Sequence, residues 1–332
     1  MIKIAQVGLG YGQYVHIPAF KLDKRFKILA VCSKNIAKAK KVSKKYNIEY
    51  FTDNIENLFD RVDAISLAVP PKEQKKILPL LINKKIIVFF EKPLGFIPAK
   101  KYQTTKKQAL VIDYQFTEID VWKDLKNLID KKELGKLLHV KISWDHATFA
   151  VLQKIKSWKT DIKLYGGALN NFGSHVLFYI EYLFGKISLI KAKSHIKEES
   201  KEEEIELDII LANRCIISVK INNKLTNKFG HSITITGKKG VCYLYNNSKH
   251  VTNNFNLKIN LKDKKSYIIK SKFKKKNKLD QRISSVEPLV RKFGDWIELQ
   301  KIQKPNLKDA IRVEYLLNKC RLSIKKNIYI NV

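Results

Sequence analysis

The chain has 332 residues, of which 45% are hydrophobic, and its formal net charge is +34 at pH 7. This length suits two domains better than one simple core, and no stretch approaches the roughly 18 apolar residues that cross a bilayer. The lysines are spread along the whole chain, and arginine, which pairs bidentately with guanine, is scarce. The charge therefore predicts nonspecific attraction and no specific nucleic-acid partner.

Short runs rich in Ile, Val and Ala alternate with helical patterns over residues 1–116. The runs lack a two-residue alternation, which is typical of strands buried on both faces of a parallel sheet. Helical patterns at Ile36–Tyr46 and Glu73–Ile82 lie between them. We therefore predict that residues 1–117 form an α/β Rossmann domain with a doubly wound parallel sheet. The predicted strands are Ile2–Val7, Phe26–Cys32, Asp63–Val69, Ile86–Phe90 and Ala109–Ile112.

From about Glu118 onward, strand patterns follow one another with few intervening helices. This order predicts a C-terminal α/β domain, residues 118–332, with an open and mostly antiparallel sheet. The predicted strands are Leu138–Ala147, Ile187–Ile196, Ile205–Ile221, Ser232–Thr236 and Val241–Tyr245. The predicted helices are Val121–Asp130, Ala168–Phe184, Val286–Gln300 and Leu307–Lys325.

The four cysteines, Cys32, Cys215, Cys242 and Cys320, lie far apart, and none belongs to a CxxC pair. None stands beside a metal-ligand histidine, so the sequence predicts reduced thiols and no metal site. The N-terminus begins directly with a strand pattern and lacks a signal-peptide apolar segment. We therefore expect a cytoplasmic protein.

A glycine-rich turn, Val7-Gly8-Leu9-Gly10-Tyr11-Gly12, follows the first predicted strand. Gly8 allows a tight turn, Gly10 lets the backbone approach phosphates, and the next helix offers free N–H groups and a favourable dipole. The third glycine of the dinucleotide fingerprint is expected at position 13, where this chain has Gln13, and Gly12 stands one place earlier. The turn with its βαβ context predicts cofactor binding through Gly8, Gly10, Tyr11 and Gly12, whereas alone it is also compatible with an ordinary turn.

The second predicted strand ends in Val31-Cys32-Ser33-Lys34. An NAD enzyme usually has Asp or Glu here for the ribose 2′-hydroxyl. Ser33 can donate a hydrogen bond and Lys34 supplies positive charge, which favours NADP, with NAD as the alternative. Lys34 is also compatible with an ordinary surface lysine. The later loop Val69-Pro70-Pro71 is expected near the adenosine or the nicotinamide ribose.

The tripeptide Glu91-Lys92-Pro93 follows a buried strand pattern. Ligands of open α/β sheets bind at the carboxyl ends of the strands, which is where Lys92 is predicted. Hydride transfer belongs to the cofactor, whereas proton transfer needs a protein acid or base, and a partly buried lysine can supply it. Lys92 is thus the predicted catalyst, with Glu91 orienting the loop or pairing with a neighbour, and both residues are also predicted to contact the cofactor. The alternative is an exposed lysine after a strand.

These segments and several later ones together resemble the Gfo/Idh/MocA family of oxidoreductases. The resemblance spans nearly the whole chain, and its motifs are strong in combination because their order and spacing agree. It implies a Rossmann domain, a C-terminal domain whose open sheet forms an oligomer interface, and hydride transfer to or from a sugar, cyclitol or nucleotide sugar. The matching segments are Gly8-Leu9-Gly10, His16-Ile17-Pro18-Ala19-Phe20, Ala68-Val69-Pro70-Pro71, Glu91-Lys92-Pro93-Leu94, Gly166–His175 and Ile235–Gly240.

The second-half motif departs from the commoner family pattern at one position. The family usually has Asp four residues before the histidine, and this chain has Asn171 before His175. Because positions i and i+4 share a helix face, both side chains are expected to reach the same pocket. Asn171 cannot exchange a proton, so it is expected to orient substrate, which leaves Lys92 and His175 as the candidate catalysts.

His16, Tyr114 and Trp158 are further candidates for lining the same crevice, and packing is at least as good an interpretation for each. The sequence therefore predicts an NAD(P)-dependent oxidoreductase, NADP favoured, that acts on a sugar-like small molecule and assembles as a homo-oligomer through the C-terminal sheet. The alternative is a regulator or sensor that binds the cofactor without turnover.

Overall fold

The computed structural model describes residues 1–95, 105–155, 157–198, 201–224, 229–262, 264–271 and 280–332. The strands of the first half are β1 Ile2–Val7, β2 Phe26–Cys32, β3 Tyr50–Thr52, β4 Ala64–Leu67, β5 Ile87–Phe90 and β6 Leu110–Ile112. Those of the second half are β7 Leu137–Asp145, β8 Ile187–Glu198, β9 Lys201–Leu211, β10 Ile216–Asn222, β11 Gly230–Gly237, β12 Gly240–Asn246, β13 Asn256–Leu261, β14 Tyr267–Lys270 and β15 Ile330–Asn331.

In the first half of the chain the helices alternate with the strands. The α-helices are α1 Ile17–Lys21, α2 Ile36–Tyr46, α3 Pro71–Asn83, α4 Asp120–Asp130, α5 Phe149–Leu152, α6 Ser174–Phe184, α7 Ile283–Leu299 and α8 Leu307–Lys326. Two π-helical turns precede α1 and α6, at Gly12–His16 and Leu169–Gly173 respectively.

In the part of the chain that the structure describes, the first sheet has six parallel strands in the order β3-β2-β1-β4-β5-β6. Strands β1 and β4 lie at the centre of the sheet. From them, the strands follow outward in chain order, from β1 to β3 on one side and from β4 to β6 on the other. The carboxyl ends of β1 and β4 therefore flank the switch point at which such sheets bind ligands. This order confirms the predicted doubly wound parallel sheet, to which the structure adds the short edge strand β3.

Within the described residues, the second sheet has nine strands in the order β14-β13-β12-β11-β7-β10-β9-β8-β15. Its pairs are antiparallel except for β7 with β10. The open, mostly antiparallel sheet is thus confirmed. Side chains along β10 and β11 alternate between buried and more exposed positions, as a sheet with only one covered face requires.

The single strand predicted at Ile205–Ile221 is wrong, because the structure divides this range into β9 and β10. The two strands pair antiparallel through a tight turn. In the turn, Asn213 accepts a hydrogen bond from the N–H of Cys215 at 3.0 Å, and Arg214 has a positive φ of 67°. Asparagine and its side-chain hydrogen bond favour such a turn, and this signal outweighs the continuous apolar pattern.

The chain forms two compact units, and their boundaries differ from the predicted domain boundaries. The first comprises Met1–Gln115 and Asn277–Arg312, and the second comprises Phe116–Lys276 and Val313–Val332. The sequence put all of 118–332 in the second domain, whereas α7 belongs to the first unit. The reason is its apolar face, from which Phe293 stacks on Phe26 with ring centres 5.9 Å apart.

Two further observations concern membranes and thiols. No helix within the described ranges combines the length and the apolar character that a transmembrane span needs. All four cysteines are buried and free of disulfide bonds.

Candidate functional site

The glycine-rich turn after β1 contains two glycines with different constraints. Gly8 has a φ of +86°, and a Cβ built there would lie 2.3 Å from the backbone oxygen of Ala68. A larger residue therefore cannot adopt this turn without displacing the chain after β4. By contrast, no atom lies within 4 Å of a Cβ built at Gly10. The space over Gly10 is open, as close approach of a phosphate to the backbone requires.

Gly12 provides close packing between the following helix and the sheet. A Cβ at Gly12 would lie 2.2 Å from Nε2 of Gln6. Gln6 is 2% exposed, and its amide donates to the carbonyls of Val7, Gly8 and Ser66. Gly12 thus makes the tight helix–strand contact expected of the third fingerprint glycine, although it stands one position earlier.

Tyr11 lies beside this turn in a charged environment. Its hydroxyl is buried and has no hydrogen-bond partner among the described residues, and its ring centre lies 4.8 Å from the guanidinium of Arg282. Burial, then the charges of Asp113 and Glu91, raises the pKa of Tyr11 well above its usual value. A buried phenol that keeps its proton offers a hydrogen-bond donor to a ligand at the turn.

The loop after β4 packs against the glycine turn. Cγ1 of Val69 would lie 2.9 Å from a Cβ at Gly8. The helix α3 begins at Pro71, directly after Pro70, and proline suits this first helical position because its missing N–H has no partner there anyway. The structure therefore brings Gly8, Val69 and Pro70 to one edge of the sheet, where the sequence expects a cofactor.

The end of β2 carries the residues expected to select the cofactor. The hydroxyl of Ser33 accepts a hydrogen bond from the N–H of Asn35 at 3.3 Å. Nζ of Lys34 donates to Oε2 of Glu73 at 2.7 Å, and this ion pair lowers the pKa of the Glu73 carboxyl. Lys34 is nevertheless 78% exposed. The end of β2 has no carboxylate of its own, and the structure places the carboxylate of Glu73, from the first turn of α3, next to Lys34 instead.

Lys92 follows β5 in a segment held by hydrogen bonds from another element. Gln74 of α3 is fully buried, and its amide donates to the carbonyls of Glu91 at 2.6 Å and Pro93 at 3.3 Å. Lys92 itself is partly exposed. The backbone on both sides of Lys92 is therefore held in place, while its side chain stays partly exposed at the carboxyl edge of the sheet.

A group of three side chains, which we call the polar cluster, lies beside Lys92 and consists of His16, Glu91 and Asp113. His16 is 0% exposed, with Nε2 at 3.0 Å from Oε1 of Glu91 and 3.6 Å from Oδ2 of Asp113. Burial opposes a charge on His16, but hydrogen bonds with Asp113 and Glu91 outweigh it and raise its pKa to about 9. Burial and the charge of Glu91 raise the pKa of Asp113. The cluster therefore holds a cationic imidazole at neutral pH.

In the second unit, two glycines shape the segment before α6. A Cβ at Gly166 would lie 2.0 Å from the carbonyl oxygen of Trp158, and Gly167 has a φ of +84°. Oε2 of Glu202 accepts a hydrogen bond from the N–H of Leu169 at 2.7 Å. These contacts fix the start of the π-helical turn that leads into α6.

Asn171 and His175 follow in this helical segment. Nδ2 of Asn171 donates to the carbonyl of Lys159 at 2.7 Å. His175 is 5% exposed, and its ring meets Phe116 edge-on with centres 5.0 Å apart. One amide N–H of Asn171 therefore supports the neighbouring chain, and the substrate roles of both residues stay predictions.

The two aromatic candidates differ in exposure. Tyr114 lies in the first unit and is 1% exposed, which favours the packing interpretation. Trp158 lies in the second unit and is partly exposed. Their substrate contacts stay predictions.

Sequence reasoning did not assign four residues that hold these segments in place, namely Glu73, Gln74, Asp113 and Glu202. Asp113 was detectable, because it follows β6 just as Lys92 follows β5. Glu73, Gln74 and Glu202 were not, because each resembles an ordinary polar residue of a helix or a strand. The sequence named His16 only as a possible crevice residue, without its contact to Glu91.

The residues of the first unit fit a dinucleotide cofactor. The turn leaves open space over Gly10, Tyr11 offers an unused donor, and Lys34 and Lys92 supply two cations at the same edge of the sheet. Open backbone, hydrogen-bond donors and positive charge are what a pyrophosphate and its flanking ribose phosphates need.

Comparisons with known proteins agree with this geometry. Residues 2–111 match a family model described as an oxidoreductase family with an NAD-binding Rossmann fold, and residues 122–243 match the GFO/IDH/MocA C-terminal domain. An uncharacterized oxidoreductase of Synechocystis is 25% identical over 260 residues, which cover 72% of this chain and 70% of that protein.

Solved structures with the same fold cover the whole chain at low sequence identity. A levoglucosan dehydrogenase in complex with NADH has a TM-score of 0.85 and 14% identity, and the match covers 100% of this chain and 99% of that one. An aldose–aldose oxidoreductase from Caulobacter crescentus, in complex with glycerol, has a TM-score of 0.83 and 14% identity with the same coverage.

Proposed function

Because the chain belongs to the Gfo/Idh/MocA family of oxidoreductases, we propose that it transfers a hydride between a nicotinamide cofactor and a hydroxyl-bearing carbon of a sugar, cyclitol or nucleotide sugar. The observation that carries this proposal is the pairing of two features at one sheet edge. The glycine turn is open over Gly10, and Lys92 stands on a fixed backbone after β5.

Lys92 is the proposed acid–base group. The cofactor, when bound, supplies or accepts the hydride, and the residues proposed to hold it are Gly8, Gly10, Tyr11 and Gly12 at the pyrophosphate. In alcohol oxidation Nζ of Lys92 takes the hydroxyl proton, and in carbonyl reduction it returns that proton. His175 is the second candidate for this proton.

NADP is the proposed cofactor, with NAD as the alternative. The end of β2 has Ser33 and Lys34 in place of the acidic residue that would repel a 2′-phosphate. Lys34 is exposed enough to turn toward such a phosphate, although it has to leave Glu73 to do so. This competition makes the preference for NADP smaller than a free lysine would give.

The proposed substrate class is based on proteins of similar structure. One similar structure is a levoglucosan dehydrogenase, and another is an aldose–aldose oxidoreductase. We propose Asn171, His175 and Trp158 as substrate-binding residues. Their polar atoms and aromatic rings suit a ligand with several hydroxyl groups and an apolar ring face. Tyr114 is also predicted to bind substrate, but its 1% exposure favours packing.

We also propose that the protein assembles as a homo-oligomer through the more exposed face of the second sheet. Lys141, Lys191, Glu206 and Lys220 line a surface depression there, so both charge signs are available for a self-complementary contact. Light scattering after size exclusion tests the assembly. The cytoplasmic location stays a prediction.

The central test is a turnover assay with NADPH or NADH and a panel of sugars, cyclitols and nucleotide sugars. Substrate-dependent oxidation or reduction of the nicotinamide is the expected result. Tight cofactor binding with no turnover on any member, in either direction, would favour the regulator or sensor.

A further inference from the structure

His16 is a fully buried side chain whose two ring nitrogens both have partners. Nδ1 lies 2.9 Å from Oγ of Ser66, and Nε2 lies 3.0 Å from Oε1 of Glu91. Its ring also meets Phe89 edge-on with centres 5.1 Å apart. The ring therefore has one orientation, which aims Nε2 at the carboxylate next to Lys92 in the chain.

Glu91 connects this histidine to Lys92. Three effects act on the pKa of Glu91, which is lowered overall. Burial has the largest effect and raises it, His16 comes next and lowers it, and Lys92 lowers it further. The same Coulomb attraction acts in reverse, so the Glu91 carboxylate favours the ammonium form of Lys92. The charge on His16 determines how much of that attraction Lys92 experiences.

We propose that His16 is a positioning residue for Lys92, which acts by holding and neutralising the carboxylate of Glu91. This inference rests on the proposed role of Lys92 in proton transfer. It also gives a reason for the position of His16, which is in the helix of the cofactor turn. The turn and the lysine loop are thereby joined by one partly buried hydrogen bond.

The other charged groups around His16 belong to several elements. Asp113 faces it from the end of β6, Glu91 from the end of β5, and Tyr11 from its own helix. Arg282 and Asp280 lie beyond Tyr11 and affect its pKa. Asp113 also carries a buried oxygen, Oδ1, without a hydrogen-bond partner among the described residues.

Two substitutions should shift the titration of Lys92 in opposite directions. His16→Gln removes the positive charge and leaves the Glu91 carboxylate unneutralised, so the ammonium form of Lys92 becomes more favourable. Glu91→Gln removes the negative charge and has the reverse effect. A nearby unit charge shifts a titration by on the order of one pH unit.

The experiment is the pH dependence of kcat for alcohol oxidation by the full chain, in which Lys92 must lose its proton. We expect the limb of the profile to move to higher pH in His16→Gln and to lower pH in Glu91→Gln. Shifts in the same direction, or none, would overturn the inference. A loss of packing alone would change stability and maximal rate without this reversal of sign.

A matched control comes from the second unit, where His231 is another buried histidine, stacked on Trp144 at 4.1 Å. His231→Gln should destabilise the fold and leave the limb in place.

If His16→Gln does not fold, Asp113→Asn and Glu91→Gln still test the cluster. Asp113→Asn should not reproduce the shift of Glu91→Gln, and an equal shift would contradict a specific role for Glu91. If Lys92→Ala keeps full turnover, the proposed function fails, whereas an inactive Lys92→Ala with unmoved limbs removes only this inference.

Discussion

Each of the two units buries a histidine, but in surroundings of different chemistry. In the first unit, His16 lies among carboxylates and its pKa is raised to about 9. In the second, His231 lies among aromatic rings, and burial lowers its pKa to about 3. The first region keeps charge inside the protein, whereas the second excludes it. The neighbours of a buried histidine therefore decide its charge, and the charged surroundings are those next to Lys92, the proposed acid–base group.

The largest expected effect concerns the lysine of the charged region. Lys92→Ala should lower turnover by about a hundredfold or more, the usual contribution of a positioned acid or base. Cofactor affinity should fall far less than turnover, because the glycine turn is the proposed pyrophosphate site. The unfolding midpoint should change little, because Gln74 holds the backbone of this segment. The exposed Lys107→Ala is the control. Equal turnover in the two variants would remove Lys92 from the mechanism.

The glycine turn gives a second contrast within the first unit. Gly8→Ala meets the Ala68 carbonyl at a positive φ and should destabilise the fold by roughly 1–3 kcal/mol. Gly10→Ala meets no atom, so it should preserve stability and weaken dinucleotide binding. Thermal unfolding and fluorescence titration measure the two effects. Unchanged cofactor affinity in Gly10→Ala would show that the open space is not the phosphate site.

The two histidines should stabilise the fold in opposite pH ranges. The raised pKa of His16 gives stability that is present below about 6.5 and lost as pH rises through about 9. The lowered pKa of His231 makes stability fall as pH drops from about 6.5 toward 3. Denaturant unfolding across pH should show His16→Gln approaching the parent at high pH and His231→Gln approaching it at low pH. Parallel curves would contradict the charged and neutral assignments.

A smaller effect is expected at the atypical asparagine of the second unit. Asn171→Asp loses the donor to the Lys159 carbonyl and leaves two acceptors facing each other, which should cost about 1–3 kcal/mol of stability. The new carboxylate should also raise the pKa of His175. If His175 transfers the proton, a limb of the pH–rate profile moves to higher pH. Lower stability with an unmoved profile would assign Asn171 to packing alone.

The smallest effect concerns cofactor choice at the exposed rim. Lys34→Ala should reduce the affinity ratio of NADPH to NADH, and Glu73→Gln should increase it by freeing Lys34. Each change should be about fivefold at most, since exposed charge pairs contribute up to about 1 kcal/mol. Isothermal titration with both cofactors measures the ratio. A ratio that is the same in the parent and both variants would contradict selection by this pair.

The parallel sheet and the location of Lys92 were predictable because they depend on local patterns. Buried runs of Ile and Val define β1, β2 and β5, and any residue after such a strand reaches the ligand edge. The polar cluster was not predictable, because His16, Glu91 and Asp113 meet only after the sheet has assembled. The same reason hid the pairing of Lys34 with Glu73, whose residues are 39 positions apart.

The error in the predicted strands, and the difference between the predicted domains and the two compact units, have physical causes. The continuous apolar pattern of Ile205–Ile221 concealed a hairpin, since the short turn at Asn213 interrupts it only briefly. The helix α7 follows the second sheet in sequence, yet its apolar face is complementary to the core around Phe26 and Phe89. Chain order alone does not reveal which core such a helix joins.

The most direct test of the central claim follows the hydride itself. The full chain is incubated with a nicotinamide cofactor deuterated at C4 and with carbonyl forms of sugars, cyclitols and nucleotide sugars, and the products are examined by mass spectrometry and NMR. We predict deuterium on the carbon that bears the new hydroxyl, formed at least about a hundredfold more slowly by Lys92→Ala. Absence of deuterium from every product, despite measurable cofactor binding, would contradict the account.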